Sequence, residues 1–401
     1  MAQGWPARAL LSSICAICTP SCAQGWTPED IVARFIDQAG SSCASKEIAV
    51  KHPYEDLPAT AFWRTGAVDG AATGFAGLHL PKFTITSDTK VATAGSCFAQ
   101  HIGQALRGAG IAVLDAEARP TTMDETICRR FGYGLFSGRY GNIYTARQMT
   151  QLLQDVAQGT VDPRFVWPKG AGFVDAFRPT VEPDGLASTD EVLLHRAYHL
   201  ERTAQMLRVA DVFIFTLGLT EAWEDLETGR VFPMCPGTVA GTFDAASHAF
   251  RNFTHAEILA DLHEIRSLLH RFNPNMQVLL TVSPVPLTAT ASGDHVIPAT
   301  AYSKAVLRAA AGEAVIQFND MDYFPSFEII TSHVMGGPWF DDDQRTVRPE
   351  GVARVMQHFL AAHGLSAPPP ADQQTSLPDS TVSDDDADLI CDELLLDAFA
   401  K

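Results

Sequence analysis

Val91-Ala92-Thr93-Ala94-Gly95-Ser96-Cys97-Phe98-Ala99 is the stretch on which the fold turns. Residues 90–94 form a short apolar run that predicts a buried strand, and residues 97–106 have helical spacing that stops at Gly108 and Gly110. A glycine and two potential nucleophiles therefore fall where a strand gives way to a helix. In open parallel sheets ligands bind beyond the carboxyl ends of the strands, and a helix N-terminus there offers unpaired amides and the positive end of a dipole. A thiol at such a place is pushed toward thiolate, its reactive form. The residues leave two readings open: chemistry at Ser96 and Cys97, or Ser96 as a helix cap with Cys97 as a small buried apolar residue.

Working outward, residues 111–114 read as the next strand. Three hydroxyl caps are each followed three residues on by Glu or Gln, and they mark later helix starts: Thr145 with Gln148, Ser188 with Glu191 and Thr254 with Glu257. Apolar runs of strand length follow at 212–217 and 278–282, with a weaker one at 314–318. A last helix starts at Pro349, a residue suited to the first helical position, and ends before Gly364. This alternation predicts an α/β fold, a three-layer α/β/α sandwich with a mainly parallel sheet. The strands at Lys90, Val212 and Val278 are expected to be neighbours with their carboxyl ends on one rim.

At 401 residues and 46% hydrophobic, the chain can bury a large core. Its formal charge of −18, with no run of Lys or Arg, argues against a nucleic-acid surface. Residues 364–401 carry nine acids against the single base Lys401, so −8 of the −18 lies there and −10 elsewhere. Residues 1–50 are read as a poorly ordered extension with one short helix opened at Thr27-Pro28-Glu29-Asp30. Residues 51–363 are read as the main domain, and 364–401 as an acidic, Pro-containing tail with a disordered linker. Leu389, Ile390, Leu394, Leu395 and Phe399 give the tail a terminal amphipathic helix that docks on its own domain or on a partner. No apolar stretch reaches the length of about 18 residues that a membrane helix needs. Scattered cysteines after Cys43 suggest a reducing, cytoplasmic setting. The alternative is export, because Ala9 to Cys18 followed by Ser21-Cys22-Ala23 has the outline of a signal segment.

Gly95-Ser96-Cys97-Phe98-Ala99 also spells the motif that names the GSCFA family, and the chain resembles that family from about Ala61 to about Phe359. The resemblance extends to Pro53-Tyr54 with Ala61-Phe62-Trp63, to Tyr140-Gly141-Asn142-Ile143-Tyr144, and to Phe215-Thr216-Leu217-Gly218-Leu219-Thr220-Glu221. Later stretches that fit are Thr281-Val282-Ser283-Pro284-Val285-Pro286, Tyr302-Ser303-Lys304 and Tyr323-Phe324-Pro325-Ser326. The family is similar in turn to SGNH (GDSL-like) hydrolases, whose order is a Gly-Asp-Ser turn, a Gly-x-Asn-Asp segment and a late Asp-x-x-His. The resemblance places the nucleophile on Cys97, with Ser96 at the preceding Asp position. It places the middle segment on Gly218-Leu219-Thr220-Glu221, with Thr220 where the oxyanion-hole Asn would stand. The late motif falls on Asp343-Gln344-Arg345-Thr346, so Thr346 occupies the position of the base His.

A Ser or Cys nucleophile needs a proton acceptor, and imidazole is the usual one near neutral pH. Two histidines are candidates: His101, one helical turn after Cys97, and His295, in the loop after the strand at Val278. Alternatively the helix dipole and Arg345 lower the thiol enough by themselves. Gly218 and the amides at Cys97 would then form the oxyanion hole, and Asp343 would orient the base. His195 and His199, four apart on a helix, are read as structural, and Asp341, Asp342 and Asp343 as a hydrated loop. No metal and no cofactor is expected. Trp223 and Glu224 line a substrate cleft, or Trp223 packs in the core.

The resemblance thus implies an SGNH-like esterase or acyltransferase acting on an acyl ester, with a polysaccharide or glycan precursor as the substrate class. The alternative is a non-catalytic module of the same shape that binds a glycan or an acyl donor such as coenzyme A, which Thr220 and Thr346 favour. A third reading makes the acidic tail and terminal helix an assembly partner.

Overall fold

The computed structural model describes residues 52–365 and 392–400. The expected helix near residue 30, the signal-like segment and the linker at 366–386 lie outside the described residues. The chain divides into two compact units, Met1–Pro58 and Ala59–Lys401. In the described part of the first, Tyr54 stacks on His52 with ring centroids 5.3 Å apart.

The second unit is built on five parallel strands. They are β1 (Lys90–Gly95), β2 (Ala112–Val113), β5 (Val212–Leu217), β9 (Gln277–Val282) and β10 (Met321–Tyr323), in the order β10-β9-β5-β1-β2. Three pairs of elements of this sheet set the site's frame: β1 pairs β2, β1 pairs β5 and β5 pairs β9, all parallel. The expected neighbours at Lys90, Val212 and Val278 are therefore adjacent. Between them run α1 (Phe98–Gly108), α2 (Glu125–Arg130), α3 (Ala146–Gln158), α4 (Thr189–Leu207), α5 (His255–Phe272) and α6 (Val296–Gln317), and α7 (Ser326–Thr331) and α8 (Pro349–Ala362) follow β10. A hairpin of β3 (Val166–Lys169) and β4 (Gly172–Asp175) and an antiparallel sheet of β6 (Glu221–Asp225), β7 (Val231–Phe232) and β8 (His248–Asn252) stand outside the main sheet.

Alternation along the strands makes the three layers. Ala92, Ala94, Phe213, Phe215, Leu217, Val278 and Leu280 pack against residues of α3, α4, α5 and α6. Val91, Val212, Ile214 and Leu279 point the other way, into a second core with α1, α7 and α8. Strands buried on both faces read as continuous apolar runs, which is why 212–217 and 278–282 are visible in the sequence.

The caps behave as their spacing predicts, with one variation. Thr145 and Thr254 each accept from the amide three residues on, and Gln148 and Glu257 reach back to the cap amide. Ser188 also accepts from the Glu191 amide, but the Glu191 carboxylate takes the Ala187 amide instead, at 2.8 Å. The weak run at 314–318 is no strand; it ends α6, and the strand follows at Met321–Tyr323. Ala310, Ala311 and Ala314 are buried while Ile316 is 85% exposed, a helical pattern that a five-residue apolar window cannot distinguish from a strand. At the chain's end Asp392–Phe399 forms a 3₁₀ helix on which Leu395 and Phe399 are exposed. Among the described residues no helix is long and apolar enough to cross a membrane, and no cluster of three metal-binding side chains occurs.

A buried ionic network ties β4 and α4 to the main body. Asp155 receives Arg196 at 2.7 Å and Arg230 at 2.5 Å, while Asp175 receives Arg178 at 2.9 Å and Arg196 at 3.3 Å. Beside it His199 meets Glu117 at 2.6 Å, which gives this histidine the structural role expected of it. Burial alone would raise the Glu117 carboxyl, but His199, Arg178 and the Arg139 amide outweigh it and hold the group at about 2. Burial holds His199 at about 4.

Both shifts work in the same direction with pH. A carboxyl lowered to about 2 from 4.5 stabilises the fold above pH 4.5 and loses that contribution as the pH falls toward 2. His199, lowered from 6.5 to about 4, costs stability as the pH falls through that interval, because the unfolded chain takes up the proton first. Glu117→Gln is expected to cost about 3 kcal/mol at neutral pH and to flatten the decline below pH 4.5. Urea unfolding of wild type and variant across this pH range measures both effects.

Candidate active site at the sheet switch point

From β1 the chain crosses to β2 on one side, and the next strand of the sheet, β5, lies on the other. Such a reversal leaves a crevice at the carboxyl ends of the two strands, the place where open α/β sheets bind ligands. Gly95 pairs with Thr216 at that end of the ladder, and the Ser96 amide donates to the Thr216 carbonyl at 3.2 Å. Gly95 has φ +141, and a Cβ there would lie 2.4 Å from the Thr216 carbonyl oxygen. Only glycine fits.

Cys97 opens α1 with αR dihedrals and makes no side-chain cap hydrogen bond. Ser96 does not cap either. Its Oγ is buried and has no hydrogen-bond partner among the described residues, while its carbonyl accepts the Ala99 amide at 2.9 Å. Cys97 is 3% exposed and packs in the core shared with α1 and α8, so it is a buried thiol and not an accessible one.

A narrow pocket with room for about one water molecule opens over this turn. Its walls include Ser96, Cys97, Gly218 after β5, Ser283 and Pro286 after β9, and Lys304 from α6. Pro286 and Lys304 are shared with a wider open groove of about 650 Å³, which follows one face of α6 past Ala301, Ala305 and Ala309 to Phe327 and Phe340. That is the size range of small-molecule sites.

Local chemistry fixes the rim. Gln148, locked into the cap of α3, accepts the Tyr144 amide at 3.0 Å. The Tyr144 carbonyl in turn accepts the amides of Gly218 at 3.1 Å and Leu219 at 3.0 Å. A Cβ on Gly218 would lie 3.1 Å from the Ser96 Cβ and 3.0 Å from the Tyr144 oxygen. On its other side the Gly218 carbonyl accepts from Lys304 Nζ at 2.6 Å.

The residues singled out in the sequence are distributed unevenly around this pocket. Ser96, Cys97 and Gly218 line it, but the Gly218 amide is committed to Tyr144, so it does not point at a reacting oxygen in this conformation. Thr220 is fully buried; its amide donates to Ser303 Oγ at 3.0 Å and its hydroxyl to Asn252 Oδ1 at 2.7 Å, both within the framework. Glu221 accepts from Thr290 at 2.7 Å, and burial raises its carboxyl against that bond.

Among the described residues no histidine lines the pocket. His101 is half-buried on α1, edge-on to Phe98 at 5.6 Å, and burial holds it at about 4. His295 is exposed and caps α6, its Nδ1 accepting the Ile297 amide at 3.2 Å. Asp343 is exposed and spends its carboxylate on its own turn, on the amides of Arg345 and Thr346 at 2.8 Å each and the Thr346 hydroxyl at 2.6 Å. Arg345 comes nearer, with Nε donating to the Pro286 carbonyl at 3.1 Å. Trp223 packs edge-on against Phe243 at 5.3 Å and Phe250 at 5.9 Å, and Glu224 pairs with Arg251 at 3.2 Å, so both serve β6 and not a cleft.

Sequence reasoning assigns no role to Lys304, Ser283 or the Tyr144 carbonyl. Their only signal is that each lies in a stretch shared with the GSCFA family. That family's model matches residues 90–359, about two-thirds of the chain. The chain belongs to the GSCFA family. No curated protein matches this member. Among solved structures it is similar to a mutant acetyl esterase crystallised with acetate ion, at 11% identity and TM-score 0.32, covering 67% of this chain and 93% of the other. It is also similar to a carbohydrate esterase family 3 protein from Talaromyces cellulolyticus at 10% identity and TM-score 0.32, covering 69% and 100%. A candidate GDSL-like lipase from Parabacteroides merdae superposes at 14% identity and TM-score 0.31, covering 71% and 100%.

The Gly95 contact yields a direct test. Gly95→Ala is expected to cost more than about 3 kcal/mol or to abolish soluble expression, because strain and backbone overlap add. Gly159→Ala, at φ +66 with nothing within 4 Å of the added Cβ, is expected to cost about 1 kcal/mol. Urea midpoints of the two variants settle the comparison.

Proposed function

We propose that this GSCFA protein is an esterase or acyltransferase that forms an acyl-thioester on Cys97. The observation that carries it is the convergence of Ser96 and Cys97 with a buried lysine and a buried serine in one pocket at the switch point. Attack by the thiolate on an ester carbonyl forms a C–S bond and releases the alcohol; water or an acceptor hydroxyl then takes the acyl group and frees the thiol. Amides at the opening of α1, at Cys97 and Phe98, are the donors proposed for the oxyanion, since Gly218 is held by Tyr144. The apolar groove beyond Lys304 suits the less polar face of the alcohol portion. A polysaccharide or glycan precursor remains the proposed class, with pyranose faces stacking on Phe327 and Phe340.

A second reading, a binding module of the same shape, is favoured by the committed Gly218 amide and the self-satisfied Asp343 carboxylate. Activated short-chain esters separate the two. Cys97→Ala is expected to reduce turnover by at least about a hundredfold with circular dichroism unchanged, and Ser96→Ala by no more than a few-fold. Loss at Ser96 with retention at Cys97 moves the nucleophile by one residue. No turnover by the wild type on any activated ester, with saturable binding of a glycan, supports the binding module.

A further inference from the structure

Lys304 is 3% exposed, on a helix whose neighbouring turn reaches the groove. Lysine is almost never this buried without a reason, because its ammonium is strongly hydrated and costly to desolvate. Its Nζ lies 2.6 Å from the Gly218 carbonyl, a Cβ on Gly218 would lie 3.1 Å from the Ser96 Cβ, and Lys304 lines the same narrow pocket as Ser96 and Cys97. A thiolate at Cys97 would bring a negative charge into the same pocket as this ammonium.

The other titratable groups brought to this rim fit the task less well. Arg345 adds positive charge but cannot give up a proton in a protein. Tyr144 would have to act as a phenolate, whose ordinary pKa of about 10 leaves it protonated at neutral pH. His101 is held at about 4 on the Phe98 side of α1, and His295 is exposed and engaged as a helix cap. Apolar burial of Cys97 opposes ionisation, so a nearby cation is needed to favour the thiolate beyond the contribution of the helix N-terminus.

We propose that Lys304 is the proton partner of Cys97, taking the place that an imidazole would fill. This rests on the ester chemistry proposed above and names the group that drives it. In the resting pair the thiol proton lies on Nζ. The thiolate attacks the acyl carbon, and the ammonium gives its proton to the departing alkoxide, leaving Lys304 as the neutral amine. That amine accepts a proton from water as its oxygen attacks the thioester; the carboxylic acid departs, and the thiolate and ammonium are restored. Atoms and charge balance, and no other reactant is required.

The test combines Lys304→Met and Lys304→Arg in the full chain, with thiolate absorbance titrated against Cys97→Ser as blank and p-nitrophenyl acetate as substrate. Lys304→Met is expected to raise the midpoint of the Cys97 titration by about one pH unit or more and to cut turnover by at least about a hundredfold. Lys304→Arg keeps the charge, so the thiolate should persist; because guanidinium does not accept a proton, an acetyl-thioester should accumulate and be visible by mass spectrometry. An unmoved Cys97 titration in folded Lys304→Met overturns the proposal. If that variant does not fold, full turnover in Lys304→Arg overturns it equally. Should the titration move while no ester is cleaved by the wild type, the Lys304–Cys97 pair stands and the ester reading falls. Should Cys97 be essential for cleavage while Lys304→Met changes neither titration nor turnover, the ester reading stands and this assignment falls.

Discussion

Everything at the candidate site depends on how closely β1 and β5 approach at Gly95. The backbone of Thr216 occupies the space that a side chain at Gly95 would need, and the positive φ at Gly95 turns the chain out of the strand toward α1. This contact sets the Ser96-Cys97 turn against Gly218, and the capping box of α3 then fixes the other side through the Tyr144 carbonyl. One residue without a side chain therefore allows two strands to bring the Ser96-Cys97 turn and Gly218 to the same small volume. The strands themselves supply rigidity, being buried on both faces.

Much of this frame is legible in the sequence because its signals are local. Thr145 with Gln148 and Thr254 with Glu257 announce helix starts by a reciprocal hydrogen-bond pattern that needs no tertiary context. Runs such as 212–217 announce a strand covered on both faces by their unbroken apolarity. The run at 314–318 misleads for the complementary reason: as the end of a long helix it has the same composition as a strand, and only the burial of Ala310, Ala311 and Ala314 on one side reveals the period.

The site is legible on one wall only. Cys97 and Ser96 stand out because strand, glycine, nucleophile and helix are contiguous. Lys304 does not, because a lysine in a helix is ordinarily read as a solvated side chain, and nothing near it in sequence says that the Gly218 carbonyl lies above it. His101, His295 and Asp343 are singled out by the habits of hydrolytic chemistry, yet their surroundings give them other work: packing against Phe98, capping α6 and closing a turn. The ionic cluster around Asp155 and Asp175 is largely hidden as well, since apart from Asp175 and Arg178, three residues apart, its members come from separated elements.

The two halves of the pocket are also far apart in the order of synthesis. The turn at Cys97 leaves the ribosome about two hundred residues before α6, and an emerging chain is extended residue by residue from its N-terminus. Until β5, β9 and α6 are in place, the thiol has neither the Gly218 wall nor Lys304 in a shared pocket. In the chemistry proposed above, reactivity at Cys97 would therefore be coupled to completion of the fold, and a nascent or truncated chain ending before α6 would carry an ordinary cysteine.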